Sequence, residues 1–340
     1  MPFTAIDDPS AYFKVQLYTG TGSSHAITFN DTDTEMQPDL VWNKSRVDAY
    51  SHNFCDSVRG VTKMLEGETT AAESTNTNAV TAFGSNGFTV GSDNGNNKSS
   101  STFVAWCWKE SATSGFDIVT YTGDGSTRTV SHSLSAVPKV IICKSRGNTD
   151  GSTSAARNWN VYHAGIASDA ETDAIFLDLT NAASDDNGPW NDTAPTSSVW
   201  SMGNHDGTNL SNLTYVAYLF AEKQGFSKFG KYTGNGNADG TFVYTGFRPA
   251  FTIIKKTNNT QAWIMWDNKR NDFNIVNHDL QANDSAAEGT ASTTICDYLS
   301  NGFKLRGSGA PVNASGDSFI YMAFAEAPFV NSKGVPCNAR

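Results

Sequence analysis

The chain has 340 residues, of which 17% are charged and 11% aromatic, and its net charge is −10. That acidity, with no densely Lys/Arg-rich window, excludes a general phosphate-binding surface, so nucleic acid is not an expected partner. No run approaches the ~20 apolar residues needed to cross a bilayer, and the aromatic content is too high for a disordered chain.

In chain order, residues Met1–Ala11 carry two prolines and two aspartates and are expected to form an extended arm. This start has neither the basic residues nor the apolar run of a secretory signal, so synthesis and retention in a cytoplasm are expected. Phe13-Lys-Val-Gln-Leu-Tyr18 alternates apolar and polar, the period-two mark of a strand with one wet face. Tyr18-Thr-Gly-Thr-Gly22 then ends it, its glycines permitting the positive φ of a tight turn. Pro38 opens the run Asp-Leu-Val-Trp42, read as a strand buried on both faces. Gly87-Phe-Thr-Val-Gly91 is a shorter strand entered through a Ser-Asn-Gly turn. Phe103-Val-Ala-Trp-Cys-Trp108 closes the unit, with Phe103, Ala105 and Cys107 facing one way and Val104, Trp106 and Trp108 the other.

The same order returns twice. Tyr-Thr-Gly-x-Gly recurs at Tyr121–Gly125 and Tyr232–Gly236, followed by Pro138-Lys-Val-Ile-Ile142 and Pro249-Ala-Phe-Thr-Ile-Ile254. Tyr215-Val-Ala-Tyr-Leu-Phe220 and Phe319-Ile-Tyr-Met-Ala-Phe324 close the later copies. The expected organisation is an arm (1–11), three repeats (12–110, 115–223 and 225–328) and a tail (329–340). Copies start 103 and then 111 residues apart, long enough for each to be a domain with its own core. The predicted fold is all-β: three tandem β-sandwich domains, jelly-roll or lectin-like, with short connections. No amphipathic helix longer than about two turns is expected, and the best candidates are Ala71-Ala-Glu73 and Ala286-Ala-Glu288 with their flanks. Repeats one and three share internal detail, whereas Thr149–Leu213 of repeat two is rewritten, which marks its loops as the surface that changes partner.

Five cysteines, Cys55, Cys107, Cys143, Cys296 and Cys337, include no C-x-x-C pair, and four lie beside apolar residues, so they read as buried free thiols. The Asn-x-Ser/Thr triplets, such as Asn209-Leu-Ser211 and Asn283-Asp-Ser285, are read as composition. Asp56-Ser-Val-Arg59 and Asp267-Asn-Lys-Arg270 repeat at an offset of 211 and are expected to be salt bridges bracing a turn. The loop Ser184–Asp192 offers hard oxygen ligands of the calcium kind but lacks EF-hand spacing, and is read as a solvated turn with no metal. Trp190 in that loop, with Asn187, Asn191 and Asp192, is the candidate ligand contact, because an exposed indole stacks on sugar rings or marks a protein contact. The alternative is a packed loop anchor. Phe3, Ile6, Asp7 and Asp8 are the candidate virion anchor in the arm. The histidines form no metal pair, and no nucleophile elbow, Walker loop or dinucleotide fingerprint occurs, so no catalytic residue and no cofactor is assigned.

Gln37-Pro-Asp-Leu-Val-Trp-Asn-Lys-Ser-Arg46, Asp56-Ser-Val-Arg-Gly60, Ser85-Asn-Gly-Phe-Thr-Val-Gly-Ser92 and Phe103-Val-Ala-Trp-Cys-Trp-Lys109 resemble the repeat domain of tail-fibre-like virion proteins from phages of marine bacteria and cyanobacteria. Phe3-Thr-Ala-Ile-Asp-Asp-Pro9 fits the same proteins. The resemblance is specific over repeat one, fair over repeat three and loose over repeat two. It implies a virion location and transfers no catalytic residue. The expected function is therefore a structural virion protein of fibre or appendage type that helps attach a tailed phage to host glycan. Its expected partners are other virion proteins and host surface polysaccharide, without membrane insertion. A homo-oligomer, a trimer in the first instance, fits a fibre, and three copies in one chain also mimic a threefold object by themselves. The alternatives are a capsid decoration or connector without receptor binding, and a polysaccharide depolymerase with two facing carboxylates.

Overall fold

The computed structural model describes residues 4–30, 34–149 and 156–337. The chain is all-β, and each repeat supplies one large antiparallel sheet and one small one. Repeat one holds β1 (Phe13–Thr19), β2 (His25–Thr28), β3 (Leu40–Ser45), β4 (Asn53–Asp56), β5 (Lys63–Glu66), β6 (Ser74–Thr75), β7 (Val80–Gly84), β8 (Gly87–Val90) and β9 (Thr102–Trp108). Repeat two holds β10 (Phe116–Thr122), β11 (Arg128–Ser131), β12 (Val140–Asn148), β13 (Asn160–His163), β14 (Asp173–Phe176), β15 (Ser184–Asp185), β16 (Val199–Met202) and β17 (Leu213–Phe220). Repeat three holds β18 (Ser227–Thr233), β19 (Phe242–Tyr244), β20 (Phe247–Lys256), β21 (Ile264–Asp267), β22 (His278–Gln281), β23 (Gly289–Thr290), β24 (Cys296–Leu299), β25 (Gly302–Leu305) and β26 (Ser318–Pro328). The large sheets run β1-β9-β3-β4-β5-β6, β10-β17-β12-β13-β14-β15 and β18-β26-β20-β21-β22-β23, one order kept three times. The small sheets are β2-β8-β7, β11-β16 and β19-β25-β24.

The post-proline strands β3, β12 and β20 lie inside the large sheets, and the pattern of β9 explains their two buried faces. Ala105 and Cys107 join Val41, Cys55 and Phe88 between the large and small sheets of repeat one. Corresponding cores form around Trp200 in repeat two and Phe303 in repeat three. Val104, Trp106 and Trp108 point the other way, into a core built from all three repeats. Trp108, Phe220 and Phe324 occupy equivalent register positions, opposite Leu40, Val140 and Phe251. Their ring centroids form a triangle of 6.3, 5.5 and 5.8 Å. Burying such a ring contributes roughly 1.5–3 kcal/mol, so the contacts among the three large sheets add substantially to the cores inside each sandwich. Each repeat has a core between its two sheets, and a second core is shared by all three.

The Tyr-Thr-Gly-x-Gly motif has a structural cause. Gly22, Gly125 and Gly236 have φ of 72°, 73° and 68°, the left-handed region that a turn needs here. A Cβ on Gly20, Gly123 or Gly234 would come within 2.2–2.3 Å of a backbone carbonyl oxygen of the facing chain. The tyrosine hydroxyls donate to Asn96, Thr208 and Val312 carbonyls at 2.6, 2.6 and 2.5 Å. Those carbonyls belong to the single helical turns α1 (Asn94–Asn97), α2 (Asp206–Asn209) and α3 (Ala310–Asn313). The last residue of each turn is a buried asparagine. Asn97, Asn209 and Asn313 accept from the N–H after the first motif glycine and donate to the carbonyls of Gly91, Gly203 and Gly307.

Two local expectations are corrected. Ala71–Glu73 and Ala286–Glu288 are not helical, because their backbone reaches the neighbouring repeat: Glu73 N donates to Arg146 O at 2.7 Å and Glu288 N to Arg46 O at 2.8 Å. The arm is not free either. Thr4 and Ile6 are buried, Ile6 within the shared core, and Thr4 Oγ1 and Ala5 N both donate to Gln224 O.

Candidate functional site

The strongest chemical signal lies at the three seams between repeats, where one arrangement is handed around a closed ring. Asp56, His163 and Asp267 stand at the same register, opposite Leu40, Val140 and Phe251. Tyr218 Oη donates to Asp56 Oδ2 at 2.8 Å, from repeat two to repeat one. His163 Nε2 meets Tyr321 O at 3.0 Å, linking repeats two and three. Trp106 Nε1 donates to Asp267 Oδ2 at 3.1 Å, linking repeats one and three. Each repeat thus touches the next and the last returns to the first.

Around these contacts the expected braces are present and extended. Arg59 grips Asp56 through its Nε, and through Nη1 reaches Glu73 at 3.1 Å. Arg146 of repeat two completes the triad, Nε to Glu73 Oε2, at 2.9 Å. Repeat three copies this onto repeat one: Arg270 pairs with Asp267 at 2.6 Å and Glu288 at 3.1 Å, and Arg46 meets Glu288 at 2.8 Å. At the remaining seam Ala183 N donates to Thr257 O at 2.8 Å, and among the described residues no ionic triad stands there. His163 replaces the carboxylate. Its Nδ1 accepts from Gly165 N at 3.0 Å, which leaves Nε2 as the donor, and burial pushes its pKa down to about 4.

The seams also hold functional residues that the sequence reading missed. Lys44, Lys144 and Lys255 are fully buried, each pushed down to about 8 by burial. Lys144 donates to Thr69 O and Lys255 to Thr180 O of the preceding repeat. All three follow their strand-opening proline by six residues, a constant spacing that would have found them. His52, Trp159 and Trp263 form another equivalent set. Trp159 and Trp263 donate to Glu66 O and Phe176 O across their seams at 2.9 and 2.8 Å. His52 is pushed down to about 3, first by burial.

One carboxyl pair departs from this scheme. Lys14, Asp117 and Lys228 are equivalent by register, opposite Cys107, Leu219 and Ala323. Lys228 pairs with Glu222 at 3.1 Å, but Asp117 faces Glu110 and hydrogen-bonds it. Burial, then that bond, pushes Glu110 up to about 7. The two groups touch, whereas a glycosidase pair stands roughly 5–9.5 Å apart around its substrate.

The loop candidates are changed by the structure. Trp190 is only 2% exposed and packs edge-on to Tyr162 at 5.8 Å in the core of repeat two, so it is an anchor and not a surface contact. The loop is polar in sequence, yet its indole turns inward. Asn187 and Asp192 are exposed, and Asn191 accepts from Thr127 Oγ1 at 3.3 Å. Among the described residues no three His, Cys, Asp or Glu side chains gather as a metal site. In the arm, Asp7 binds Ser332 of the tail and Asp8 caps the turn Pro9–Ala11, so Ile6, Asp7 and Asp8 fold onto the chain itself instead of projecting as an anchor. Phe3 lies outside the described residues. Four cysteines are buried free thiols, as expected, and Cys337 is half-buried.

The exposed rings gather elsewhere, on repeat three. Phe242 and Tyr244 of β19 are 43% and 60% exposed. The equivalent outward positions are Ala26 and Thr28 on β2, and Thr129 and Ser131 on β11. Phe242 lies across Gly302, where a Cβ would come within 3.2 Å of its ring. At the other edge of this small sheet Asn274 pairs with the backbone of Tyr298, between the exposed Phe273 and Ile275. Beside Tyr244 runs a groove of about 370 Å³ walled by Glu222 and Lys228.

No helix among the described residues is long and apolar enough to cross a membrane. No curated protein and no solved structure matches the chain. A family model covers residues 8–328, all three repeats, and the chain belongs to that family, described as a domain of unknown function (DUF7483).

Proposed function

We propose that this chain is a structural protein of a tailed-phage virion, of fibre or appendage type, which presents its surface to host glycan. The observation that carries this reading is the division of its chemistry. The buried Asp–Arg pairs and the fully buried His52 and His163 are committed to the seams, and among the described residues the large exposed rings collect at the small sheet of repeat three. Exposed rings on a rigid sheet suit repeated weak contact with sugar faces or protein. Contacts of that kind gain avidity through assembly, in a trimer for example. The resemblance to tail-fibre-like repeats supports the virion setting. The test is proteomic and immunogold analysis of purified particles of the encoding phage. The chain is expected in the particle at an exposed position, and its absence from intact particles overturns the reading.

A second reading, a capsid decoration or connector without receptor binding, draws on the closed ring of seams. One chain offers three near-equivalent faces and suits a threefold site without two further copies. Labelling on the shell, with no saccharide binding by the soluble chain, separates the two.

A further inference from the structure

We infer that the groove beside Tyr244 is a subsite for an uncharged sugar ring, with Tyr244 as its stacking platform. The inference rests on the surface-contact reading above and names its ligand class and residues. Tyr244 is backed on one side by Gly246: its hydroxyl oxygen and ring lie 3.6 and 3.8 Å from the Cβ position of that residue, an ordinary contact distance, and the φ of 83° there is what favours glycine. The residue as a whole is 60% exposed. A flat ring with one free face is what the apolar face of a pyranose covers.

The same groove is lined by polar groups that are already paired. Glu222 Oε1 accepts from Phe229 N at 2.8 Å, and Glu222 Oε2 meets Lys228 Nζ at 3.1 Å. The exposed Gln224 lies along the same groove. An acceptor and a donor that neutralise each other match vicinal hydroxyls, which donate and accept together, while an anionic or cationic ligand would have to break the pair. The site belongs to one repeat only. Thr28 and Ser131 stand where the platform would be in repeats one and two, and Asp117 replaces the lysine at the first seam.

The experiment titrates the full chain with maltohexaose, cellohexaose and chitohexaose, with dextran sulfate as a charged comparison, read by saturation-transfer NMR and calorimetry. Saturable binding of at least one neutral hexasaccharide is expected. Tyr244→Ala should weaken it about tenfold or more, Tyr244→Phe should hold it within about threefold, and Glu222→Gln should weaken it about tenfold. Thermal unfolding of each variant checks that the fold persists. Binding to none of the neutral sugars overturns the inference, as does stronger binding to dextran sulfate. Neutral-sugar binding that Tyr244→Ala leaves unchanged overturns the subsite while leaving glycan contact standing. A dimer that Tyr244→Ala converts to monomer, with no sugar bound, assigns the ring to self-association and also overturns it.

Discussion

Glu110 offers the sharpest quantitative test, because it departs from the pattern of its own repeats. Burial and the Asp117 contact push it up to about 7, against about 4.3 for glutamate in an unfolded chain. An acid raised on folding contributes stability that is complete below the unfolded value and is lost as pH rises through the folded one. The full shift corresponds to roughly 4 kcal/mol, and solvent at this half-buried side chain reduces it to about 1–2 kcal/mol. Glu110→Gln keeps a donor towards Asp117 at every pH. The variant should therefore match the parent below about pH 4, gain on it as pH rises through about 7, and exceed it by about 1–2 kcal/mol near pH 8. His52 and His163, lowered by burial to about 3 and 4, act in the opposite sense. Their stability is present above about pH 6.5 and is lost as pH falls. Both proteins share that loss, so it cancels in the difference. The assay is urea unfolding at a series of pH values, followed by tryptophan fluorescence. A stability difference that does not change with pH, or that grows towards acid, refutes the assignment of Glu110 as a raised carboxyl sharing a hydrogen bond with Asp117.

Three further outcomes follow from burial and pairing. Trp190→Ala should lower stability by roughly 3–5 kcal/mol in chemical denaturation, whereas a surface indole would leave the midpoint nearly unchanged. Ile6→Ala should cost about 2–5 kcal/mol by the same measurement, and a neutral result would show that the arm does not belong to the shared core. Arg59→Ala strands Asp56 in the interior and should cost about 3–5 kcal/mol. Arg146→Ala, at the partly exposed end of the triad, should cost about 1 kcal/mol or less. Equal losses for the two arginines would contradict the buried-to-exposed gradient across that seam.

Much of the fold is legible along the chain because strand alternation is a local property. Phe103–Trp108 announces two faces, and both are buried as the pattern implies. What that pattern does not reveal is the identity of the second neighbour. Trp108 reads as core in either case, and only the copy number hints that Phe220 and Phe324 come to meet it. The seam lysines were hidden by their charge, since a lysine after an apolar run reads as a strand end. Here Lys44, Lys144 and Lys255 are buried because the preceding or neighbouring repeat closes over them. Asn97, Asn209 and Asn313 were hidden by their commonness. Their recurrence as Asn-x-Ser at corresponding places in each copy was the readable signal. Trp190 misled because the polarity of a loop does not fix the direction of its largest side chain. Phe242 and Tyr244 escaped because an alternating strand with rings on its outer face looks the same as one with rings inside.

Equilibrium unfolding tests most directly whether the three repeats close into one ring around a shared core. Far-ultraviolet circular dichroism and tryptophan fluorescence should trace one coincident transition in urea, and residues 12–110 alone, with Leu40, Trp42, Trp106 and Trp108 laid bare, should remain without fixed tertiary packing. Separate transitions for the repeats, or a cooperatively folded 12–110 fragment as stable as the whole chain, would contradict it.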